Sequence, residues 1–206
     1  AVKSGHIEHN AASDIEHVWP GRTLPRRVLS EQEAERLMSQ PAIKFSHGLR
    51  DRAMLEVLYC TGLRRAELSW LNVADLDAGR ATLLIRKGKG RRERYVPMGV
   101  RALWWTSKYL EEARPAMVGM KQQEALFVTK DGERLNIQYL GMLVCKYLKS
   151  AELGERGGCH LLRHSCATQM LEGGADIRYI QALLGHARIQ STEIYTHVSV
   201  EKLREV

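Results

Sequence analysis

The stretch His160-Leu161-Leu162-Arg163-His164 decides how this chain is read. Its apolar and polar residues alternate as one helix would place them, and His160 and Arg163, three apart, share a helix face. Working outward, Gly173-Gly174 ends that helix, Asp176 caps the next, and Gly185 ends it in Leu184-Gly185-His186. Tyr195 follows, between Thr192 and Thr196, and the segment from 160 onward reads as all helical.

Upstream, Ser30 and Glu33 form a capping box ahead of Ala34, Leu37 and Met38. Met54, Leu55, Leu58 and Tyr59 give a second helix over 49–60, which Gly62 ends, and a short helix starts near Arg64. Residues 81–85 read as a strand and 94–97 as its antiparallel partner. Helices are predicted near 99–112 and 136–150. Leu126-Phe127-Val128 is a short strand candidate before the turn Asp131-Gly132. The predicted class is mostly α with a small antiparallel β-sheet (α+β). Residues 1–29, broken by Pro20, Gly21 and Pro25 and carrying Arg22, Arg26 and Arg27, read as a linker with a basic end.

The polar residues define a chemistry. Arg64 and Arg163 suit bidentate contact with a phosphate. His160, His186 and Lys89 can move protons or donate hydrogen bonds, and Tyr195 can be a nucleophile. Nothing in this set needs a metal or a nucleotide, so no cofactor is expected. Each part also has an ordinary reading. Arg64 fits a solvated helix start, Glu67 a surface ion pair, and Tyr195 a packing residue. From Arg86 to Arg94, six of nine residues are Lys or Arg. That segment suits either a solubilising turn or a nucleic-acid contact through Lys87, Arg91, Arg92 and Arg94, with Arg26 and Arg27 adding to the basic surface. Lys89 sits between Gly88 and Gly90, which lets the backbone approach a phosphate closely. Cys159, His160, His164 and Cys166 crowd together, but without Cys-x-x-Cys spacing, so no metal site is expected. His164 reads as a core or supporting residue.

Composition agrees. The 206 residues carry a net charge of +7, with 44% hydrophobic and 27% charged residues. A basic globular chain has nucleic acid as its first candidate partner. No apolar run approaches the ~18 residues that span a bilayer, so no membrane role is expected. The four cysteines show no disulfide framework and fit free thiols in the cytoplasm.

Taken together, these segments resemble the tyrosine site-specific recombinases, the family of phage integrases and Xer proteins. The resemblance covers residues 22–204. Its boxes are Thr61-Gly62-Leu63-Arg64 to Leu68, Lys89 within Gly88 to Pro97, His160 to Arg163, Leu184-Gly185-His186, and Ile194-Tyr195-Thr196-His197-Val198. The pattern departs at Cys159, where the family usually has Pro.

The resemblance implies a DNA breaking-rejoining catalytic domain over 30–206, with 1–29 the tail of a missing N-terminal core-binding domain plus its linker. It implies attack of Tyr195 on a scissile phosphate, giving a 3′-phosphotyrosyl link. Arg64 and Arg163 would then stabilise charge and His186 donate a hydrogen bond. Lys89 would protonate the leaving oxygen, and His160 would help deprotonate Tyr195. The implied partners are double-stranded DNA and further copies of the chain. A tetramer is expected on DNA, and a monomer for this fragment alone. Three other readings share parts of this evidence: an inactive DNA-binding regulator on the same fold, a type IB-like topoisomerase or protelomerase, and a zinc-dependent nuclease.

Overall fold

Ser30 opens the first helix as its spacing predicts. In the computed structural model, which describes residues 27–86, 93–154 and 157–185, Ser30 and Glu33 bond each other's backbone N–H at 3.2 and 3.0 Å. This starts α1 (Glu31–Met38), which buries Ala34, Leu37 and Met38. The end of the expected linker packs on the folded unit. Leu29 is fully buried, its N–H donates to Ser165 Oγ at 2.9 Å, and its carbonyl accepts from Gln169 Nε2 at 3.0 Å.

α2 (Ser46–Thr61) is the central helix, buried on most sides and packed chiefly on α4 (Val100–Lys108) and α7 (Gly158–Glu172). It ends at Gly62, whose φ of 59° lies in the left-handed region that only glycine enters freely. A Cβ there would sit 2.7 Å from Leu184 Cδ2, so the position needs glycine for space as well. Arg64, in extended conformation, caps α3 (Arg65–Trp70).

A 3₁₀ turn over Val73–Asp75 leads into an antiparallel sheet of β1 (Leu76–Asp77), β2 (Thr82–Ile85) and β3 (Arg94–Pro97), in that order. Leu83 pairs with Val96 and Ile85 with Arg94. Leu83, Ile85 and Val96 face the core, so the period of two sets the register. β2 starts one residue later than predicted because Ala81 takes a turn conformation with φ of 50°. β1 has two residues, too few to show a period.

α4 continues through a π-helical turn (Tyr109–Ala113) into α5 (Arg114–Val118), longer than the predicted 99–112. The expected strand at Leu126-Phe127-Val128 is corrected. Only single bridges, Asn72 to Ala125 and Val128 to Arg134, flank it. Burial rather than a ladder explains its apolar run, since Leu126 and Val128 are fully buried. α6 (Ile137–Ser150) starts at Asn136, whose Oδ1 accepts from Gln138 N–H at 2.8 Å. α8 (Ile177–Leu184) is capped by Asp176 and ended by Gly185 with φ of 62°. A single large core joins α1, α2, α4, α6 and the sheet, with a small cluster of Ala167, Ile180 and Leu184 between α7 and α8.

Candidate active site

The last carbonyls of a helix have no intrahelical partner and sit at the negative end of its dipole. At the end of α8, three successive carbonyls each accept from a different arginine. Leu183 O takes Arg94 Nε at 2.9 Å, Leu184 O takes Arg163 Nη2 at 2.8 Å, and Gly185 O takes Arg64 Nη2 at 3.0 Å. Residues 121 positions apart in sequence are thus gathered on one turn.

Arg163 comes from the middle of α7 and is 6% exposed. Its Nη1 donates to Gly62 O at 2.6 Å, so the left-handed ends of α2 and α8 grip one guanidinium from two sides. Arg64 is held lower, with its side chain 27% exposed. Its Nη1 donates to Glu67 Oε1 at 2.8 Å, and its N–H donates to Glu67 Oε2 at 2.9 Å.

Glu67 is 4% exposed and is the common acceptor of the cluster. Arg94 also bonds it in bidentate fashion, through Nη1 at 3.0 Å and Nη2 at 2.9 Å. Burial by itself pushes this carboxyl up. The Arg94 hydrogen bonds, the Arg64 backbone N–H and the two guanidinium charges outweigh it and hold Glu67 below its ordinary value. Glu67 therefore stays ionised and holds Arg64 by two hydrogen bonds one turn along α3, where the sequence allows it either to orient a neighbouring basic group or to make a surface ion pair.

Arg94, which the sequence offers as a nucleic-acid contact, is held inside the protein. Its side chain is 14% exposed, and its bonds run inward to Glu67 and Leu183 O. Ion pairing with a buried carboxylate outweighs exposure on the hairpin. Arg27 is likewise engaged. It bonds Leu153 O at 2.5 Å and pairs with Glu33, fastening the start of the folded unit. Arg86, on the other side of the basic segment, pairs with buried Asp75 at 2.5 Å.

His160 is exposed on the first turn of α7, and His164 is buried at 6% exposure, in keeping with a supporting role. Arg26, Lys87, Lys89, Arg91, Arg92, His186 and Tyr195 lie outside the described residues. In the chain, Arg86 and Arg94 flank the segment bearing Lys89, and His186 directly follows Gly185. Among the described residues, no group of three His, Cys, Asp or Glu is placed to hold a metal ion. Burial pushes the thiols of Cys159 and Cys166 up to about 11 and about 12, so both stay protonated at neutral pH. The residues that sequence reasoning missed are the acceptors. Gly185 reads as a helix end, but nothing in the letters marks the carbonyls of 183–185 as the seat of three arginines.

This fold and cluster define a class. Residues 27–202 match the phage integrase family, and the chain belongs to it. It is 48% identical over 205 residues to tyrosine recombinase XerC 2 of Ralstonia nicotianae, covering 100% of this chain and 59% of that protein. It is 38% identical over 200 residues to tyrosine recombinase XerD of the same organism, covering 96% of this chain and 65% of that one. The chain therefore spans less than two thirds of these relatives' length. Among solved structures, XerA recombinase aligns with a TM-score of 0.76 at 35% identity, covering 87% of this chain and 63% of XerA. XerH recombinase bound to palindromic difH substrate, in a post-cleavage complex, aligns with a TM-score of 0.78 at 28% identity, covering 97% and 58%. The mostly helical fold with its small antiparallel sheet is that of the tyrosine recombinase catalytic domain.

Proposed function

We propose that this chain is the catalytic part of a site-specific DNA recombinase that cuts and rejoins strands through a 3′-phosphotyrosyl intermediate. The observation that carries the proposal is the convergence of Arg64 and Arg163 on the last two carbonyls before His186. Two guanidiniums held side by side suit the non-bridging oxygens of one phosphate, whose negative charge grows in a five-coordinate transition state. They supply that charge stabilisation without a metal ion. In this reading the phenolic oxygen of Tyr195 bonds to phosphorus as the bond to the 5′-oxygen breaks. Its proton passes toward His160, and Lys89 gives a proton to the departing 5′-oxygen, which leaves as a hydroxyl. A tyrosine with an ordinary pKa of ~10 needs such help at neutral pH. His186 donates to a phosphate oxygen. Rejoining runs the same steps in reverse.

The likeness to XerH captured on difH substrate before and after cleavage supports duplex DNA as the partner. An N-terminal core-binding domain ahead of this unit belongs to the same reading, as do assembly of copies on DNA, as a tetramer, and a cytoplasmic location. Among the described residues no helix is long and apolar enough to cross a membrane.

The test is incubation with nicked duplexes of randomised sequence, followed by a denaturing gel and peptide mapping of any protein–DNA adduct. The expected result is an adduct in chelator, linked at Tyr195 and lost in Tyr195→Phe. An adduct mapping elsewhere, or one that requires added magnesium or zinc, overturns the mechanism. Binding without an adduct points instead to an inactive regulator.

A further inference from the structure

We propose that Arg94 is a positioning residue for Arg64, holding its two acceptors in place and balancing the charge of Glu67 so that Arg64 keeps its own charge for a phosphate. The inference rests on the phosphate role proposed above for Arg64. Arg64 donates its side-chain bonds to Glu67 Oε1 and Gly185 O. Arg94 fixes both. It grips Glu67 through both carboxylate oxygens, and it bonds Leu183 O two residues before Gly185. It also lies flat against Gly185, where a Cβ would come within 3.0 Å of Arg94 Cζ.

Four donors therefore meet the Glu67 carboxylate: Nη1 and N–H of Arg64, and Nη1 and Nη2 of Arg94. That matches the roughly four lone-pair positions a carboxylate offers, which leaves it one orientation.

The charge count points the same way. A buried carboxylate paired with Arg64 alone would make a neutral unit, attracting a phosphate only as a dipole. Two guanidiniums on one carboxylate carry one net positive charge, and of the two, Arg64 is the more exposed at 27% against 14%. Charge in a partly dry site acts far more strongly than in water. A plain alternative is that Arg94 only staples β3 to α3. The two roles separate by charge, because a staple is broken by any shortened side chain, whereas a counter-ion becomes dispensable once Glu67 is neutral.

The experiment compares the wild-type chain, Arg94→Lys, Arg94→Gln and the double variant Arg94→Gln/Glu67→Gln. It uses single-turnover cleavage at saturating protein and, independently of cleavage, NMR titration with orthovanadate, which mimics five-coordinate phosphorus. Thermal melting of each variant runs alongside. Arg94→Gln should slow cleavage and weaken vanadate binding by about 10- to 100-fold, by analogy with removing a group that orients a metal ligand. Arg94→Lys should fall between Arg94→Gln and wild type. The double variant should recover part of the loss, the share due to the unbalanced Glu67 charge, while melting no higher than Arg94→Gln.

If the vanadate series shows this pattern but the wild type forms no adduct, the Arg94 role stands and the recombinase reading fails. If the wild type forms the adduct, the Arg94 role is overturned by either of two results: Arg94→Gln cleaves as fast as wild type, or the double variant is no faster than Arg94→Gln. A flat vanadate series with no adduct overturns both.

Discussion

Two buried arginine–carboxylate clusters stand on neighbouring elements of this protein, and they differ in balance. On α2, Arg50 meets Asp51 one to one. Its Nε and Nη2 lie 2.8 and 2.6 Å from Asp51 Oδ1, its Nη1 donates to Val128 O, and the Tyr147 hydroxyl donates to Asp51 Oδ2 at 2.7 Å. Both side chains are 2% exposed. At α3, Glu67 serves both Arg64 and Arg94, and Arg163 stands beside them on the same α8 turn. A neutral, closed pair of the first kind orders the fold. A shared carboxylate with an excess of cation, open to solvent at Arg64, is a place for an anion. In the proposed reading, the excess of cation at Glu67, with Arg64 open to solvent, sets this cluster apart from the closed Arg50–Asp51 pair.

The comparison can be broken first at Asp51. Asp51→Ala should cost about 3–5 kcal/mol of stability, because it strands a buried guanidinium. Cleavage per folded molecule should survive. Replacing the pair together, Arg50→Met with Asp51→Leu, should recover most of that stability in urea unfolding. If the apolar double replacement were as damaged as Asp51→Ala, the pair would do more than balance itself.

Arg64→Ala is the next largest effect. It should slow single-turnover cleavage by about 10²-fold or more, as losing one transition-state donor does. DNA affinity should barely change, since one phosphate contact among many is lost. A large drop in affinity with unchanged cleavage would place Arg64 in the binding surface instead.

Replacing Arg91 and Arg92 together should act the other way. We expect weaker binding, with the log–log salt slope flattened by about 1–2. Arg94→Gln should leave that slope alone, because its donors are spent inside the protein. Equal slopes for all three proteins would remove Arg91 and Arg92 from the DNA contacts.

The smallest effects concern pH and capping. Glu67 has a lowered folded value, so its contribution is present above the unfolded carboxylate range near 4.5 and is lost as pH falls through the folded value. Glu67→Gln should therefore lessen the acid loss of stability below pH 4.5, and a superimposable acid limb would contradict the depressed carboxyl. Ser30→Ala should cost about 1 kcal/mol by removing the α1 cap, read as a small shift in the unfolding midpoint.

Much of this was legible before the fold. Ser30 with Glu33, Asp176, Gly62 and Gly185 mark helix ends through local hydrogen bonds and φ angles, so neighbouring letters suffice to read them. The apolar run at 81–85 and its partner at 94–97, with a Gly-rich basic segment between them, announced the two strands. Leu126-Phe127-Val128 misled because a buried extended segment and a strand share one apolar signature.

By itself, then, the sequence determined most of the helix caps and the two main strands, the basic charge, and which residue types could act on a phosphate. Tertiary structure alone decided that Arg64, Arg94 and Arg163 meet on the carbonyls of 183–185, that Arg94 turns inward, and that Leu29 belongs to the core. The reason is physical. Every residue carries a carbonyl, so an acceptor made of backbone leaves no mark in the letters, and only the packing of α2, α7 and α8 chooses which carbonyls remain open and which arginines reach them.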